Sequence, residues 1–310
     1  MGVFFFLPLV LPLTVLPIAR LAGAHLHPRS VTRLLAVVGG VLAVCSTLCL
    51  VMLVVVGTAQ IPGNPLPDGW SDPDVRAAVP YAEFSGTLAT AALAVVVVGC
   101  ARVLAQHIRI RRQARRALGE LSAVPELAVL PDAIPYAYAL PGAPGRIVVS
   151  TGMLACLDPD ERRVLVAHER AHLTGRHHRF LLTTQVAASL NPFLRPLRAA
   201  VAFSTERWAD EEAAQVVGDR RLTARAVGKA ALGSHSGHPT GVPGFATTGP
   251  VPRRIAALLD PAPPTRRWPP AGTPAGLAAL VAAAGTTASA LSALNAAVAL
   301  LLVLREATPL

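Results

Sequence analysis

Residues 34–57 form a continuous apolar stretch that contains no charged side chain. A helix needs about 20 such residues to cross the hydrocarbon core of a bilayer. Three further stretches meet the same test, at about 3–19, 84–104 and 275–303. The sequence therefore predicts an α-helical membrane protein with four transmembrane helices. The first stretch lacks the basic residues that precede a cleavable signal, so we expect it to be retained as a span.

The charged residues of the loops indicate how the spans are oriented. Loop 20–33 carries three arginines and no acid, whereas loop 58–83 carries four acids and one arginine. Five arginines follow the third span, and they are Arg109, Arg111, Arg112, Arg115 and Arg116. Because basic loops stay in the cytoplasm, we expect loop 20–33 and segment 105–274 to be cytoplasmic. Both termini are then outside, in a multi-pass protein of the plasma membrane.

The composition is typical of a membrane protein that carries one compact domain. The chain is 53% hydrophobic and only 15% charged, yet its formal net charge is +10. A disordered chain has the opposite balance, and soluble domains are about a quarter charged. The arginine run 109–116 has three interpretations: a nucleic-acid arm, a lipid-surface contact or a topology anchor. No aromatic residue interleaves the run, so we expect no direct nucleic-acid binding and favour the last two.

Segment 105–274 is long enough to form one core. Its first part is predicted to form short strands, because apolar runs alternate there with proline and glycine. These runs are Leu127–Leu130, Tyr136–Leu140 and Arg146–Val149. We therefore divide the chain into a membrane domain (1–104), a cytoplasmic domain (105–274) and a last span with a short tail (275–310).

A helix is predicted to begin at Pro159 and to end at about Gly175. Asp158 is a suitable N-cap, proline favours the first helical position, and Glu161 completes a capping box. Further helices are expected over 180–190, 197–217 and 252–259, and a loop rich in glycine and proline is expected over 233–250.

The motif His168-Glu169-Arg170-Ala171-His172 lies on the capped helix. Residues four apart share a helix face, so both imidazoles can bind one metal ion. Glu169, next to the first histidine, can take a proton from a metal-bound water. The alternative is a solvated helix face with incidental histidines.

Two acids further along the chain complete the pattern. Glu206 and Asp210 are four apart on the helix predicted over 197–217. Glu206 can complete a site of two histidines and one carboxylate that leaves the fourth position for water. Asp210 can accept the remaining ring N–H of a ligand histidine. Either acid alone would be interpreted as an ordinary acid exposed on the surface. Together with the upstream histidine motif, the two acids predict one Zn2+ ion per chain.

Three runs of this sequence resemble integral-membrane zinc metallopeptidases. They are VLVAHERAHLTGRHHR at 164–179, NPF at 191–193 and ERWADEEA at 206–213. The resemblance is to BlaR/MecR-type transducer peptidases, with HtpX-type membrane proteases as their relatives. It covers residues 120–260 and, more loosely, the layout of four spans.

This resemblance implies a gluzincin-like α+β metallopeptidase domain in which an edge strand, here 146–150, pairs with the substrate backbone. It implies the following roles: His168, His172 and Glu206 as zinc ligands, Glu169 as general base, and Asp210 as the partner of a ligand histidine. BlaR/MecR-type transducers also carry a penicillin-binding sensor after the last span. No Ser-x-x-Lys motif follows the last span here, so we expect no such sensor.

The sequence thus predicts a membrane-embedded, zinc-dependent endopeptidase, a hydrolase that cleaves proteins at the cytoplasmic face. The expected substrate is a cytoplasmic transcriptional repressor or a misfolded membrane protein. The alternative is a non-catalytic, membrane-anchored regulatory protein that binds zinc. The enzyme is favoured because Glu169 is present and only three protein ligands are evident, whereas a structural zinc has four.

Several segments keep more than one interpretation. Stretch 180–203 is apolar, but an Asn-Pro pair interrupts it, so we expect core helices or a hairpin that dips into the bilayer. His177 and His178 could contact substrate, but we favour basic residues beside the end of the motif helix. Arg253 and Arg254 could face acidic lipids or pack on the domain.

Overall fold

The computed structural model describes residues 3–61, 63–67, 70, 82–120, 126–142, 144–234, 250–263, 270 and 272–306. Within these ranges the chain forms helices and one three-stranded sheet. Four helices are long and apolar enough to cross a membrane: Phe6–His25, Pro28–Ala59, Phe84–Gln113 and Gly276–Glu306. The predicted number of candidate spans is therefore confirmed for the described residues.

The first candidate span is interrupted. Helix α1 (Val3–Val10) and helix α2 (Val15–His25) are joined by a 3-10 turn, Leu11–Thr14. Proline within this stretch cannot donate a backbone hydrogen bond, which explains why the helix tightens there.

The other candidate spans are longer than the apolar stretches that predicted them. They form α3 (Pro28–Ala59), α4 (Ala82–Glu120) and α11 (Pro274–Glu306). Because α2 ends at His25 and α3 begins at Pro28, the loop predicted over 20–33 is much shorter than expected. Polar residues extend these helices beyond their apolar parts, so the arginine run 109–116 lies on α4 itself.

The sheet consists of β1 (Leu127–Leu130), β2 (Ala137–Leu140) and β3 (Arg146–Ser150), close to the predicted bounds. Its order is β1-β3-β2, with β1 parallel and β2 antiparallel to β3. The expectation that 146–150 is an edge strand is therefore wrong. β3 pairs on both sides, because the chain returns from β2 in a hairpin while β1 occupies its other edge.

Six α-helices lie between the sheet and α11 in the described residues: α5 (Thr151–Ala155), α6 (Pro159–Thr174), α7 (His177–Leu190), α8 (Arg195–Val217), α9 (Arg220–Ser234) and α10 (Val251–Leu259). The helices predicted near α6, α7, α8 and α10 are confirmed. Helix α9 was not predicted, and it includes residues 233–234 of the expected loop. The rest of that loop, 235–249, lies outside the described residues.

Helices α7 and α8 form a hairpin that packs against the candidate spans. Leu194 and Leu197 belong to the same buried apolar cluster as Leu35 and Leu42 of α3. A β-carbon at Gly39 would lie 2.7 Å from the Cδ1 atom of Leu197, so α3 and α8 approach closely. This hairpin therefore connects the core of the site-bearing helices to the core of the span-capable helices.

Candidate metal centre

The motif helix α6 begins at a well-supported cap. The backbone N–H of Asp158 donates to Oε2 of Glu161 at 2.9 Å, which gives the predicted capping box. Lys229 of α9 donates to both carboxylates, at 2.8 Å each. One turn further along the helix, Val164 and Leu165 are fully buried. The start and the rotation of α6 are therefore both fixed, and so is the face that carries the histidines.

His168, His172 and Glu206 come together between α6 and α8. One ligand atom from each lies within 4.8 Å of the others. The two Nε2 atoms of His168 and His172 are 3.0 Å apart. The Glu206 carboxylate lies 3.6 Å from Nε2 of His168 and 3.5 Å from Nε2 of His172. The structure thus brings together the three residues that the sequence singled out as ligands.

The spacing of these donors suits a small tetrahedral cation. Zinc binds histidine nitrogen and carboxylate oxygen at about 2.0–2.2 Å, so neighbouring tetrahedral donors lie about 3.3–3.5 Å apart. The three observed separations, 3.0, 3.5 and 3.6 Å, bracket that value. Glu169 adjoins the cluster, and its buried Oε1 atom has no hydrogen-bond partner among the described residues. The residues present therefore fit a metal ion with an acid beside it.

Asp210 lies behind the first histidine. Its Oδ1 atom is 3.1 Å from Nδ1 of His168, on the opposite side of the ring from the cluster. A carboxylate in this position fixes the tautomer and orientation of a ligand imidazole. The location of Asp210 relative to Glu206 follows from their spacing of one turn on α8.

A buried arginine that the sequence did not assign to the site pairs with Glu206 and Asp210 of α8. Arg254 of α10 donates to Asp210 through Nε at 2.8 Å and through a terminal nitrogen at 2.6 Å. Its other terminal nitrogen lies 3.1 Å from Oε2 of Glu206. Arg254 is 0% exposed, so the possibility that it faces lipid is excluded. No sequence motif distinguishes Arg254 from its neighbour Arg253, which is exposed.

His177 is a second residue whose location differs from the favoured interpretation. It is 1% exposed and is the first residue of α7. Its Nδ1 atom lies 2.8 Å from Nδ1 of His172, and its ring lies 4.4 Å from that of Trp208. A β-carbon at Gly175 would lie 2.4 Å from Nε2 of His177, so the turn before α7 requires glycine there. His177 is therefore a buried partner of His172.

Burial and the neighbouring charges separate the protonation states of the two motif histidines. Burial alone would lower the pKa of His168, but Asp210 and Glu206 outweigh it and raise that pKa to about 9. Burial lowers the pKa of His172 to about 4, although Glu206 acts in the opposite direction. The carboxylates of Asp210 and Glu206 therefore favour a positive charge at the cluster.

The pKa values of the acids at the site also differ from one another. Burial would raise the pKa of Glu206, but Arg254 and then the two histidines lower it to about 2. The same arginine holds the pKa of Asp210 well below its usual range. Burial raises the pKa of Glu169 to about 7, so this acid is poised to exchange a proton near neutral pH.

The edge strand beside Glu169 is β2. The backbone of Ala139 hydrogen-bonds to the Glu169 carboxylate. Ser150 of β3 donates its N–H to the carbonyl of Tyr136, so the alternate residues Ala137 and Ala139 direct their backbone groups away from β3. Among the described residues, the sheet edge next to the site that pairs with no further strand therefore belongs to β2.

Comparison with known proteins agrees with this arrangement. Residues 105–201 match the profile of Peptidase family M48, a family of metallopeptidases that are usually zinc-dependent. The matched part contains the motif helix and ends before Glu206. No curated protein and no solved structure matches the chain significantly. The family match and the metal-capable cluster support a metallopeptidase function, but they confirm neither the BlaR/MecR-type nor the HtpX-type assignment.

Proposed function

We propose that this protein is a membrane-embedded, zinc-dependent endopeptidase with its site on the cytoplasmic side. The observation that carries the proposal is the convergence of His168, His172 and Glu206 beside the buried carboxylate of Glu169. The M48 match over the motif helix and the four span-capable helices support it. The basic residues of 20–33 and 105–274 support the cytoplasmic orientation.

The roles of the side chains follow from their positions. A zinc ion held by His168, His172 and Glu206 would supply Lewis acidity and would lower the pKa of a water at the site. Glu169 accepts the proton of the attacking water and returns it to the leaving amine. Asp210 holds the ring of His168, and His177 holds the ring of His172 through its Nδ1 atom.

The substrate is proposed to be an extended polypeptide that pairs with β2. Strand addition to an exposed edge supplies backbone hydrogen bonds without requiring a particular side chain. Strand β2 has the position for this role, because Ala139 contacts Glu169. Two substrate classes fit: a cytoplasmic transcriptional repressor and a misfolded membrane protein.

The second candidate is a membrane-anchored regulatory protein that binds zinc without catalysis. This candidate differs from the proposed enzyme only in whether Glu169 transfers a proton. An enzyme needs this carboxylate for proton transfer, whereas a zinc-binding regulator does not.

The deciding experiment is Glu169→Gln in purified membranes, with zinc content and cleavage of a casein-like probe measured together. We expect zinc to be retained and cleavage to fall at least a hundredfold, since proton transfer contributes about 10²–10⁴. Asp160→Asn removes an exposed acid from the same helix and serves as the matched control. Undiminished cleavage by the zinc-loaded Glu169→Gln variant would exclude the mechanism.

A further inference from the structure

Four exposed arginines surround one cavity outside the metal centre. Arg29 and Arg33 come from the start of α3, Arg176 from the turn before α7, and Arg179 from α7. The cavity has a volume of about 600 Å³, and Phe180, Thr183 and Glu212 also line it. Residues from three separate parts of the chain thus concentrate positive charge around one space.

Three of these arginines have no acidic partner in the part of the chain that the structure describes. Arg29, Arg176 and Arg179 form no ion pair with any residue that the structure describes. The acid at the cavity, Glu212, accepts a hydrogen bond from Nε1 of Trp208 at 2.5 Å. Arg176 has a backbone φ of 51°, a conformation that costs energy for a residue other than glycine. The cavity therefore has the electrostatic character of an anion site.

The cavity adjoins the N-terminal end of the candidate span α3, which carries Arg29 and Arg33. A β-carbon at Gly86 of α4 would lie 2.3 Å from the Cα atom of Gly57 of α3, so the two helices are in contact at these positions. From this contact, α3 extends 24 residues to Arg33 and α4 extends 25 residues to Arg111. At 1.5 Å per residue both distances are about 36–38 Å, just beyond a hydrocarbon core of about 30 Å.

Arg111 of α4 acts electrostatically on His178 of α7, which is next to Arg179 of the cavity. His178, next to Arg179, has its pKa lowered to about 4, by burial first and then by the charges of Arg111 and Arg179. The basic side chains of α3, α4 and α7 therefore converge at one depth. At that depth phospholipid headgroups surround a membrane protein.

We propose that this cavity binds the phosphate-bearing headgroup of an acidic phospholipid. Arginine suits the role because its planar guanidinium forms paired hydrogen bonds with phosphate oxygens. Basic pockets between span helices at the membrane surface are the recognition mode expected for such headgroups. Free phosphate shares this chemistry, but it lacks the acyl chains that the location of the cavity accommodates.

The fluorescence of Trp208 can show whether the cavity is occupied. The guanidinium carbons of Arg29 and Arg33 lie 5.4 and 5.6 Å from the centre of its ring. A headgroup that engages these arginines alters the charge over the indole. The chain has three tryptophans. Trp70→Phe with Trp268→Phe leaves Trp208 as the sole emitter.

The test is a titration of the full-length Trp70→Phe/Trp268→Phe protein in neutral detergent micelles. Phosphatidylglycerol is added in one arm, phosphatidylcholine in a second and inorganic phosphate in a third, while Trp208 emission is recorded. We expect a saturable change with phosphatidylglycerol alone. Arg176→Gln with Arg179→Gln should weaken this binding at least tenfold and leave the unliganded emission unchanged, since neither residue contacts the indole.

Arg163→Gln with Arg221→Gln is the charge-matched control, because it removes two exposed arginines outside the cavity. An equal loss of binding in this variant would show non-specific attraction and overturn the proposal. Saturation by inorganic phosphate at the same concentration would overturn the assignment to lipid. None of these readouts requires zinc or proteolysis, so their outcome is independent of the proposed enzymatic function.

Discussion

A terminal guanidinium nitrogen of Arg254 lies 2.6 Å from Oδ1 of Asp210, in a position closed to solvent. The same side chain reaches Glu206. One cation is thus shared between the acid proposed to bind the metal and the acid that orients His168. With Glu169, the site holds three buried carboxylates, which Arg254 and a divalent ion together balance in charge.

Removal of this arginine should weaken both the fold and the metal site. Arg254→Ala leaves two buried carboxylates without their cation, which costs about 3–5 kcal/mol of stability. Loss of a supporting contact of this kind lowers metal affinity about 10–100-fold. Thermal unfolding and competition with a zinc chelator measure the two effects. Arg253→Ala is the matched control, and equal zinc affinity in the two variants would contradict this role.

His177 should tune zinc affinity without supporting the fold strongly. Its low pKa, caused by burial and by His172, keeps it neutral and able to accept a hydrogen bond from Nδ1 of His172. His177→Phe keeps a ring against Trp208 but removes the acceptor. We expect about a tenfold loss of zinc affinity with a small change in unfolding temperature. His178→Phe should retain the affinity, and a similar loss in both variants would refute the specific contact.

Arg220 should influence the site from a distance, because it anchors the helix that carries Arg254. It donates to the carbonyls of Leu258 and Ala257 at the end of α10, at 3.1 and 2.7 Å, and it pairs with Glu211. Arg220→Met should therefore lower zinc affinity several-fold, less than Arg254→Ala does. Arg221→Met serves for comparison in the same chelator assay. If Arg220→Met binds zinc like Arg221→Met, α10 does not depend on this anchor.

The cap of the motif helix predicts a pH-dependent contribution to stability. Lys229, mainly through its hydrogen bond, lowers the pKa of Asp158 below its usual 3.8. The contribution of this carboxylate is therefore present above pH 3.8 and is lost as the pH falls through the lower, folded-state value. Lys229→Met should lower the melting temperature at pH 7 by about 2–4 °C. The difference should shrink at pH 2–3, and a difference that is constant with pH would contradict the linkage.

The parts of the site that lie on one helix were predictable from the sequence. The spacing of His168 and His172, and that of Glu206 and Asp210, corresponds to one helical turn, and the cap at Asp158 is a local signal. The candidate spans were equally evident, because apolar length alone defines them.

What escaped prediction depends on contacts between distant parts of the chain. Arg254 meets Asp210 across 44 residues, and its own neighbourhood contains no motif. Strand order also requires tertiary information, so β3 was mistaken for an edge strand. Helix α9 also escaped prediction, and alanine supplies most of its buried residues.

The close packing of Leu197 on Gly39 has a geometric consequence. Glu206 follows Leu197 by nine residues on the same helix, a rise of about 14 Å. The candidate metal centre is thus tied through one rigid element to α3, a helix long and apolar enough to cross a membrane. We therefore expect a polypeptide substrate of the proposed peptidase to meet Glu169 only at this height, so the reach of a segment from the membrane should decide its access before its sequence does.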